Sequence, residues 1–432
     1  MKKAPVVSRS VLLPFVLITS LFALWGFANA VTDPMVTAFK KVLELDNFQA
    51  SLVQMAFYGG YFTMALPAAL FIRKYSYKVG ILIGLALYAS GALLFYPAAV
   101  TEQFGFFLGG LYILTFGLAF LETTANPYIL SMGDKENATQ RLNLAQAFNP
   151  VGLLGGLLVA QQFVLKRLQS DDVDFASLSE SAKASITTAD LMAIRNPYVV
   201  LGLVVIFIFV LILINKMPEG KDKDLRVSAW GLIKSIISKP KYAYGVVAQA
   251  FYVGAQIMCW TYIYQYSEAI GIDAETAGTY QLFAFILFFV GRFVCTFLLR
   301  YINSGKLLTL LSILAISFTL GTMFITGVLG LYCLVAISFC MSLMFPTIYG
   351  IALNGLSEDE SKIGAAGLVM AIVGGALMPT LQGMILDLGG AGYADTTVLG
   401  VSEVNFSFIL PLACFALVGH YGYSVYSKFD HQ

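Results

Sequence analysis

The most regular feature of this chain is the recurrence of long apolar runs that are separated by short polar segments. Each run is close to the roughly 20 residues that an α-helix needs to cross the hydrocarbon core of a bilayer. Twelve runs predict an all-α integral membrane protein with twelve transmembrane helices. The predicted spans are 11–36, 48–71, 79–99, 104–131, 143–165, 196–215, 241–267, 276–299, 306–327, 330–354, 363–386 and 404–427.

Composition supports this prediction and narrows the chemistry. Of the 432 residues, 58% are hydrophobic and only 12% are charged, which excludes an ordinary soluble domain. The net charge of +1 gives no indication of a nucleic-acid partner. The five cysteines fall inside predicted spans without C-x-x-C spacing and are interpreted as small buried hydrophobes. Only two histidines occur, both near the C-terminal end, so neither a histidine proton relay nor a histidine metal site is expected. No metal or cofactor is predicted.

The distribution of positive charge predicts the orientation in the membrane. Lys and Arg are retained on the cytoplasmic side of inserted helices. If the N-terminus is cytoplasmic, nineteen of the 26 Lys and Arg residues lie on that side and only six on the other. We therefore expect both termini to be cytoplasmic.

One polar segment, KMPEGKDKDLRVSAWGLIKSIISKP at 216–240, divides the predicted spans six and six. We expect an N-terminal six-helix bundle at 1–215, a cytoplasmic linker at 216–240 and a C-terminal six-helix bundle at 241–432. Residues 228–237 are compatible with a short amphipathic helix or with a plain linker.

Weak similarity between the halves predicts a parallel repeat, an architecture in which substrate binds near the membrane midplane. A shift of 219 residues places Pro127 on Pro346 and the glycine pair 155–156 on the pair 374–375. Small residues allow membrane helices to approach closely, so packing is the favoured role of these glycines.

Two acids in predicted spans are the strongest candidate functional residues. A charged side chain at the bilayer centre costs about 2.5 to 3.5 kcal/mol, and such residues usually face a bundle interior or a cavity. Asp33 and Glu122 have no counterparts in the second half, where Trp260 and Met341 align with them. Low dielectric favours the neutral form of an unpaired carboxyl group, so both are predicted proton carriers. Asp33 lies farther along its helix from the predicted cytoplasmic end than Glu122 does. We therefore predict Asp33 as the outer proton site and Glu122 as the inner one.

Neutral polar and aromatic side chains accompany the acids at helical spacing. Trp25, Asn29 and Asp33 are four residues apart and share one helix face, and Asn126 follows Glu122 at the same spacing. Carboxamides and indoles together suit a sugar, through hydrogen bonds to hydroxyls and stacking on an apolar ring face. The remaining members of this set are Asn143, Gln146, Asn149, Gln256 and Trp260, with Tyr264 and Gln265 beyond.

A simpler role for the amides remains open, because polar side chains also hold membrane helices together, at about 0.6 kcal/mol each on average. For Asn126 and Asn143 the two roles are equally compatible with the sequence. Arg292 is the one basic residue placed in the interior of a predicted span, near its cytoplasmic end, and is assigned to packing or gating.

These motifs resemble the fucose:proton symporters of the major facilitator superfamily, over nearly the whole chain. The most specific segments are LETTANP, RLNLAQAFN, YVGAQ-x-x-CW and FPTI. The resemblance implies that Asp33 and Glu122 are the proton-titrating pair and that Gln146 and Asn149 line the sugar cavity. The chain departs from the family pattern at Ala30, where a second asparagine is usual, and in the prolines that follow Asp33 and Asn149.

The sequence as a whole predicts a proton-coupled monosaccharide importer of a bacterial inner membrane, which works by alternating access as a monomer. The predicted partners are a fucose-like sugar, protons and the lipid bilayer. The predicted sugar contacts are Trp25, Asn29, Gln146, Asn149, Gln256 and Trp260.

Alternatives are a glucose, galactose or N-acetylglucosamine symporter of the same family, a drug exporter of the same fold, and a sugar sensor that does not transport. An ATP-driven pump is disfavoured because no G-x-x-x-x-G-K-[ST] loop occurs. An enzyme is disfavoured because no nucleophile, base and orienting group come together.

Overall fold

A computed structural model of the chain describes residues 6–43, 47–171, 178–218, 228–386 and 396–429. The helices up to residue 218 are α1 Leu12–Val42, α2 Asn47–Lys74, α3 Tyr77–Leu93, α4 Phe95–Thr101, α5 Phe104–Ser131, α6 Ala138–Gln146, α7 Asn149–Val159 and α8 Glu180–Ile214. The later helices are α9 Ala229–Ile237, α10 Pro240–Thr261, α11 Ile263–Ala269, α12 Ala274–Leu298, α13 Ser304–Phe324, α14 Val328–Met341, α15 Met344–Leu353, α16 Glu358–Met370, α17 Gly374–Leu386, α18 Glu403–Ser407 and α19 Ile409–Ser424.

Short helical turns and one hairpin complete the described elements. The 3₁₀ turns are Arg9–Val11, Lys135–Asn137, Leu165–Arg167, Gln169–Asp171 and Ala371–Val373, and the π turns are Ala160–Val164 and Val425–Phe429. Strands β1 Thr397–Val398 and β2 Val401–Ser402 pair antiparallel. The two residues between them, Leu399 and Gly400, both have positive φ, as the tightest hairpin turns require.

The predicted spans are found as helices. Eleven helices in the described ranges are long and apolar enough to cross a membrane, or up to twelve if the pair α10 and α11, bent by 41°, is one span. The fourth predicted span, 104–131, coincides with α5.

Two differences from the prediction have local causes. Helix α8 begins at Glu180, between the fifth and sixth predicted spans, where the Ser179 hydroxyl caps it by accepting from the Ala182 N–H at 3.4 Å. The first turns of α8 mix polar and apolar residues, so hydropathy alone misses them. The fifth predicted span is divided into α6 and α7, as the third, seventh, tenth, eleventh and twelfth spans are also divided, and Pro150 occupies the first turn of α7, where no N–H is needed.

The segment 228–237 forms a helix rather than a plain linker. Ser228 caps α9 by accepting from the Gly231 N–H at 3.0 Å. Leu232 and Ile236 are buried, whereas Trp230 is exposed, so α9 has one apolar face against the protein.

The described chain divides into two compact units. Of the described residues, the N-terminal unit contains 7–43, 47–132, 148–171 and 178–218, and the C-terminal unit contains Val6, 133–147, 228–386 and 396–429. In the N-terminal unit α1 packs on α7, and α5 packs on α2 and α3. In the C-terminal unit α10 packs on α17 and α19, and α6 packs on α15.

Glycines explain the closest helix contacts in both units. A Cβ atom on Gly152 or Gly156 of α7 would overlap or crowd the α1 backbone, and a Cβ on Gly374 would overlap the Ala250 carbonyl of α10. The predicted packing role is therefore confirmed for one glycine of each pair. Gly155 behaves differently, because its added Cβ would meet only a ring carbon of Phe27, at 3.8 Å.

Candidate functional site

The acid Glu122 lies inside the N-terminal unit, in the C-terminal half of α5. Its side chain is 3% exposed, and neither carboxylate oxygen has a hydrogen-bond donor among the described residues. It lines a narrow pocket between α1 and α5. The other lining residues are Leu21, Phe22, Trp25, Leu118, Leu121 and Ala125.

This environment determines what Glu122 can do. A charged carboxylate in an apolar pocket without donors is costly, whereas the neutral acid loses little by burial. The group is therefore suited to take up a proton when water has access and to carry it when the pocket is closed. The other predicted proton carrier, Asp33, lies in the second half of α1, and its side chain is outside the described residues.

Trp25 shares the Glu122 pocket and has a partner that the sequence did not indicate. Its indole Nε1 donates a hydrogen bond to the hydroxyl of Tyr61 on α2. Tyr61 is 1% exposed, and Gly60 allows α2 to approach α5, because a Cβ there would lie 2.8 Å from the Thr115 Cβ.

Asn149 begins α7 and lies against α1. Its Nδ2 donates to the Phe22 carbonyl at 3.3 Å, and its own carbonyl would overlap a Cβ placed on Gly26. Phe22 also lines the Glu122 pocket. The contact between α1 and α7 therefore connects Asn149 with the pocket wall.

Two other amides of the N-terminal unit bond to their own helices. Asn29 Nδ2 donates to the Trp25 carbonyl at 3.0 Å, and Asn126 Nδ2 donates to the Glu122 carbonyl at 2.9 Å. Both bonds run back one turn of helix. For Asn29, which is only partly buried, the Oδ1 atom stays available to a ligand.

Helix α6 belongs to the C-terminal unit, and its polar side chains contact other helices of that unit. Asn143 Nδ2 donates to the Thr347 hydroxyl on α15 at 3.2 Å, so this amide joins two helices. Gln146 receives long hydrogen bonds from Arg292 Nη1 of α12, at 3.5 Å to its backbone oxygen and 3.5 Å to its Oε1. Arg292 also lies over the Phe288 ring, 4.9 Å from its centroid.

Trp260 is buried among aromatic side chains of its own unit. It is 8% exposed, its Nε1 donates to the Ser338 hydroxyl at 3.1 Å, and Phe285 and Phe288 lie edge-on to it at 4.9 and 5.1 Å. Gln256, one turn earlier in α10, is partly exposed. Phe288 thus contacts both Trp260 and Arg292, which connects the predicted sugar contacts of this unit.

Sequence reasoning missed Gln249, a fully buried amide in α10. Within the described ranges neither its Nε2 nor its Oε1 has a hydrogen-bond partner. Gln249 lies seven residues, or about two helical turns, before Gln256, so the sequence could have placed both amides on one face of α10. Tyr61 gave no comparable signal, because tyrosines are frequent in this chain, which contains 23.

The described residues contain no group of three His, Cys, Asp or Glu side chains that could hold a metal ion.

Comparisons with known proteins agree with this architecture. The family model of the Major Facilitator Superfamily matches residues 15–379. The L-fucose-proton symporter of Haemophilus influenzae is 56% identical over 427 residues, which cover 97% of this chain and 98% of that protein. A glucose/galactose transporter of Brucella abortus is 30% identical over 419 residues, which cover 94% and 92%. A crystal structure of the Escherichia coli fucose:proton symporter matches with a TM-score of 0.85 at 32% identity, covering 96% of this chain and 99% of that one.

Proposed function

Because the chain belongs to the Major Facilitator Superfamily, we propose that it is a multi-pass importer that moves a neutral monosaccharide together with protons. L-fucose is the first candidate sugar, since the Haemophilus influenzae relative at 56% identity is an L-fucose-proton symporter. The importer works by alternating access and needs no cofactor.

The observation that carries this proposal is the environment of Glu122. A buried acid without a donor in the described chain is a suitable proton carrier, and it shares its pocket with Trp25, whose ring face can stack on a sugar. Proton binding at Glu122 and sugar stacking on Trp25 would therefore take place at neighbouring side chains. Asp33 is the proposed second proton site, on the outer side.

The proposed sugar contacts extend over several helices. Asn29 and Asn149 supply amide groups from α1 and α7, and Gln146 and Gln256 supply them from α6 and α10. Amides both donate and accept, which suits the hydroxyls of a neutral sugar. The enclosure of Trp260 by Phe285 and Phe288 favours a role as a wall that supports these contacts.

A second candidate substrate is glucose or galactose. The observation that favours it is the Brucella abortus glucose/galactose transporter, which is 30% identical over most of both chains.

The setting of the transporter is part of the proposal. We place it in a bacterial inner membrane as a monomer with both termini in the cytoplasm. Its proposed domains are the bundles 1–215 and 241–432, joined by the linker 216–240.

The test is a sugar panel in cells that carry the transporter in weakly buffered medium. We expect L-fucose to raise the external pH as protons enter with it, and to compete best against labelled L-fucose. A response to galactose or glucose alone would identify the second candidate. Sugar uptake without any pH change would contradict proton coupling.

A further inference from the structure

The short helix α9 has two faces of different character. Because a helix turns by about 100° per residue, Leu232 and Ile236 lie on one side and Trp230, Lys234 and Ile237 on the opposite side. The first two side chains are buried against the protein. Trp230 is 75% exposed, Ile237 is 60% exposed, and Lys234 is exposed as well. We call these three residues the outer face of α9.

Polar contacts hold the opposite face of α9 against α16. The Glu360 carboxylate, in the first turn of α16, accepts from Lys239 Nζ at 2.7 and 2.8 Å and from the Ser235 hydroxyl at 3.0 Å. The same carboxylate accepts from the Ser357 N–H at 3.0 Å, so it is itself held in place. Helix α9 cannot turn its outer face toward α16 without breaking these bonds, and the outer face therefore stays directed away from α16.

Helix α9 lies where two candidate membrane spans begin. Only Ser238 and Lys239 separate it from α10, which forms a bent candidate span together with α11, and α16 opens the candidate span Glu358–Leu386. Helix α9 packs on both α10 and α16. The end of a span is the level at which hydrocarbon gives way to lipid headgroups, and tryptophan is enriched at this level. A short helix with an apolar stripe and a lysine fits the same level.

The charge of this part of the chain is complementary to an anionic surface. From Lys216 to Lys241 the sequence contains seven Lys and Arg residues and three Asp and Glu residues. Lys239 is paired with Glu360, whereas Lys234 is exposed beside Trp230 on the outer face. Clusters of four to eight basic residues next to a membrane span are typical of segments that bind acidic lipid headgroups. Charge and position therefore favour lipid over a soluble protein as the occupant of this face.

We infer that the outer face of α9 is a binding surface for anionic phospholipids of the bilayer. Trp230 and Ile237 enter the boundary between headgroups and acyl chains, where an indole keeps its apolar body in lipid and its N–H in a polar layer. Lys234 extends its apolar stem along the same boundary and places its ammonium group beside the lipid phosphate. This interaction goes beyond the proposed function, and its test requires neither sugar nor a proton gradient.

The test measures quenching of tryptophan fluorescence by brominated lipids in vesicles that contain the full-length protein. The vesicles consist of phosphatidylcholine and phosphatidylglycerol in a fixed ratio, and in each preparation only one of the two lipids carries bromine. The chain has three tryptophans, so the difference between the unmodified chain and Trp230→Phe isolates the emission of Trp230. Trp25 and Trp260 stay in place throughout.

We expect both brominated lipids to quench Trp230, with phosphatidylglycerol enriched beside it about fivefold over phosphatidylcholine. This factor corresponds to the roughly 1 kcal/mol that one lysine contributes near an anionic surface. Lys234→Glu should remove the enrichment, and Lys234→Arg should keep it. The matched control is Lys135→Glu, which makes the same charge change at an exposed lysine of the turn between α5 and α6 and should leave the enrichment unchanged.

Three results would overturn the inference. Equal quenching of Trp230 by the two lipids would show a lipid contact without preference for anionic headgroups. No quenching by either lipid would exclude the lipid contact, and if acrylamide in the water also failed to quench Trp230, the occupant would be a second copy of the chain or another protein. Enrichment that survives in Lys234→Glu would exclude Lys234 as the lipid contact. The first two results need only the unmodified chain and Trp230→Phe, so they do not depend on the folding of Lys234→Glu.

Discussion

The contact between α1 and α7 can be tested with two glycines of α7, Gly152 and Gly155. An added methyl group would meet the α1 backbone at Gly152 but has room at Gly155. In Gly152→Ala the new carbon would overlap the Ala23 carbonyl oxygen and lie 2.7 Å from its carbonyl carbon and 2.8 Å from the Phe27 nitrogen. Non-bonded atoms prefer about 3.5 to 4.0 Å, so the two backbones must separate by more than about 1 Å. In Gly155→Ala the nearest atom is 3.8 Å away, and nothing has to move.

The consequence for the site follows from the same distances. Asn149 Nδ2 is 3.3 Å from the Phe22 carbonyl, so a separation of about 1 Å breaks this hydrogen bond. Overpacking of this kind typically costs about 1 to 3 kcal/mol. Both variants gain the same helix propensity from alanine, so the difference between them isolates the packing effect.

The assay is thermal unfolding of the purified variants together with their affinity for labelled L-fucose. We expect Gly152→Ala to unfold at a lower temperature and to bind L-fucose about tenfold more weakly, which corresponds to about 1.4 kcal/mol. Gly155→Ala should match the unmodified chain in both measurements. Equal behaviour of the two variants would refute the argument that this backbone contact positions the sugar-binding residues.

Three further predictions concern single contacts. In Glu122→Gln we expect uphill L-fucose uptake to be lost while exchange of labelled for unlabelled sugar continues, as measured in proteoliposomes; full accumulation would remove Glu122 from proton coupling. Asn143→Ala and Thr347→Val should each cost about 1 kcal/mol of stability, and the double variant should cost little more, because both remove one hydrogen bond; additive losses in thermal unfolding would argue against the bond. Lys78 Nζ donates to two carbonyl oxygens at the C-terminal end of α8, at 2.9 and 2.8 Å, an interaction worth roughly 1 kcal/mol. Lys78→Met should therefore lower the unfolding temperature, and Lys78→Arg should restore most of the loss.

Much of the fold could be predicted from hydropathy, because burial in lipid requires long apolar helices. This reasoning found α5 with its observed bounds and found every other span approximately. It failed at the start of α8, since the first turns of this helix mix polar and apolar residues. It also did not predict the breaks inside spans, such as the one between α6 and α7, where Pro150 lies in the first turn of the new helix.

The candidate site was predictable only in part. Glu122 could be identified because an acid in a span is costly and therefore conspicuous. Tyr61 and Ser338 could not, since a tyrosine or serine in a span is ordinary until a tertiary contact places it beside an indole. For the same reason the sequence could not decide whether Asn143 contacts sugar or joins helices. The structure shows that it joins α6 to α15 through its hydrogen bond to Thr347.

The most direct test of proton-coupled sugar import is the steady-state accumulation of L-fucose in proteoliposomes as a function of an imposed, inside-negative membrane potential. One proton moving through 100 mV releases about 2.3 kcal/mol, so symport with one proton per sugar predicts about fifty-fold accumulation at that potential without a pH gradient. Accumulation should rise further when the outside is made acidic. An inside-to-outside sugar ratio that stays near one at every potential and every pH gradient would contradict the account.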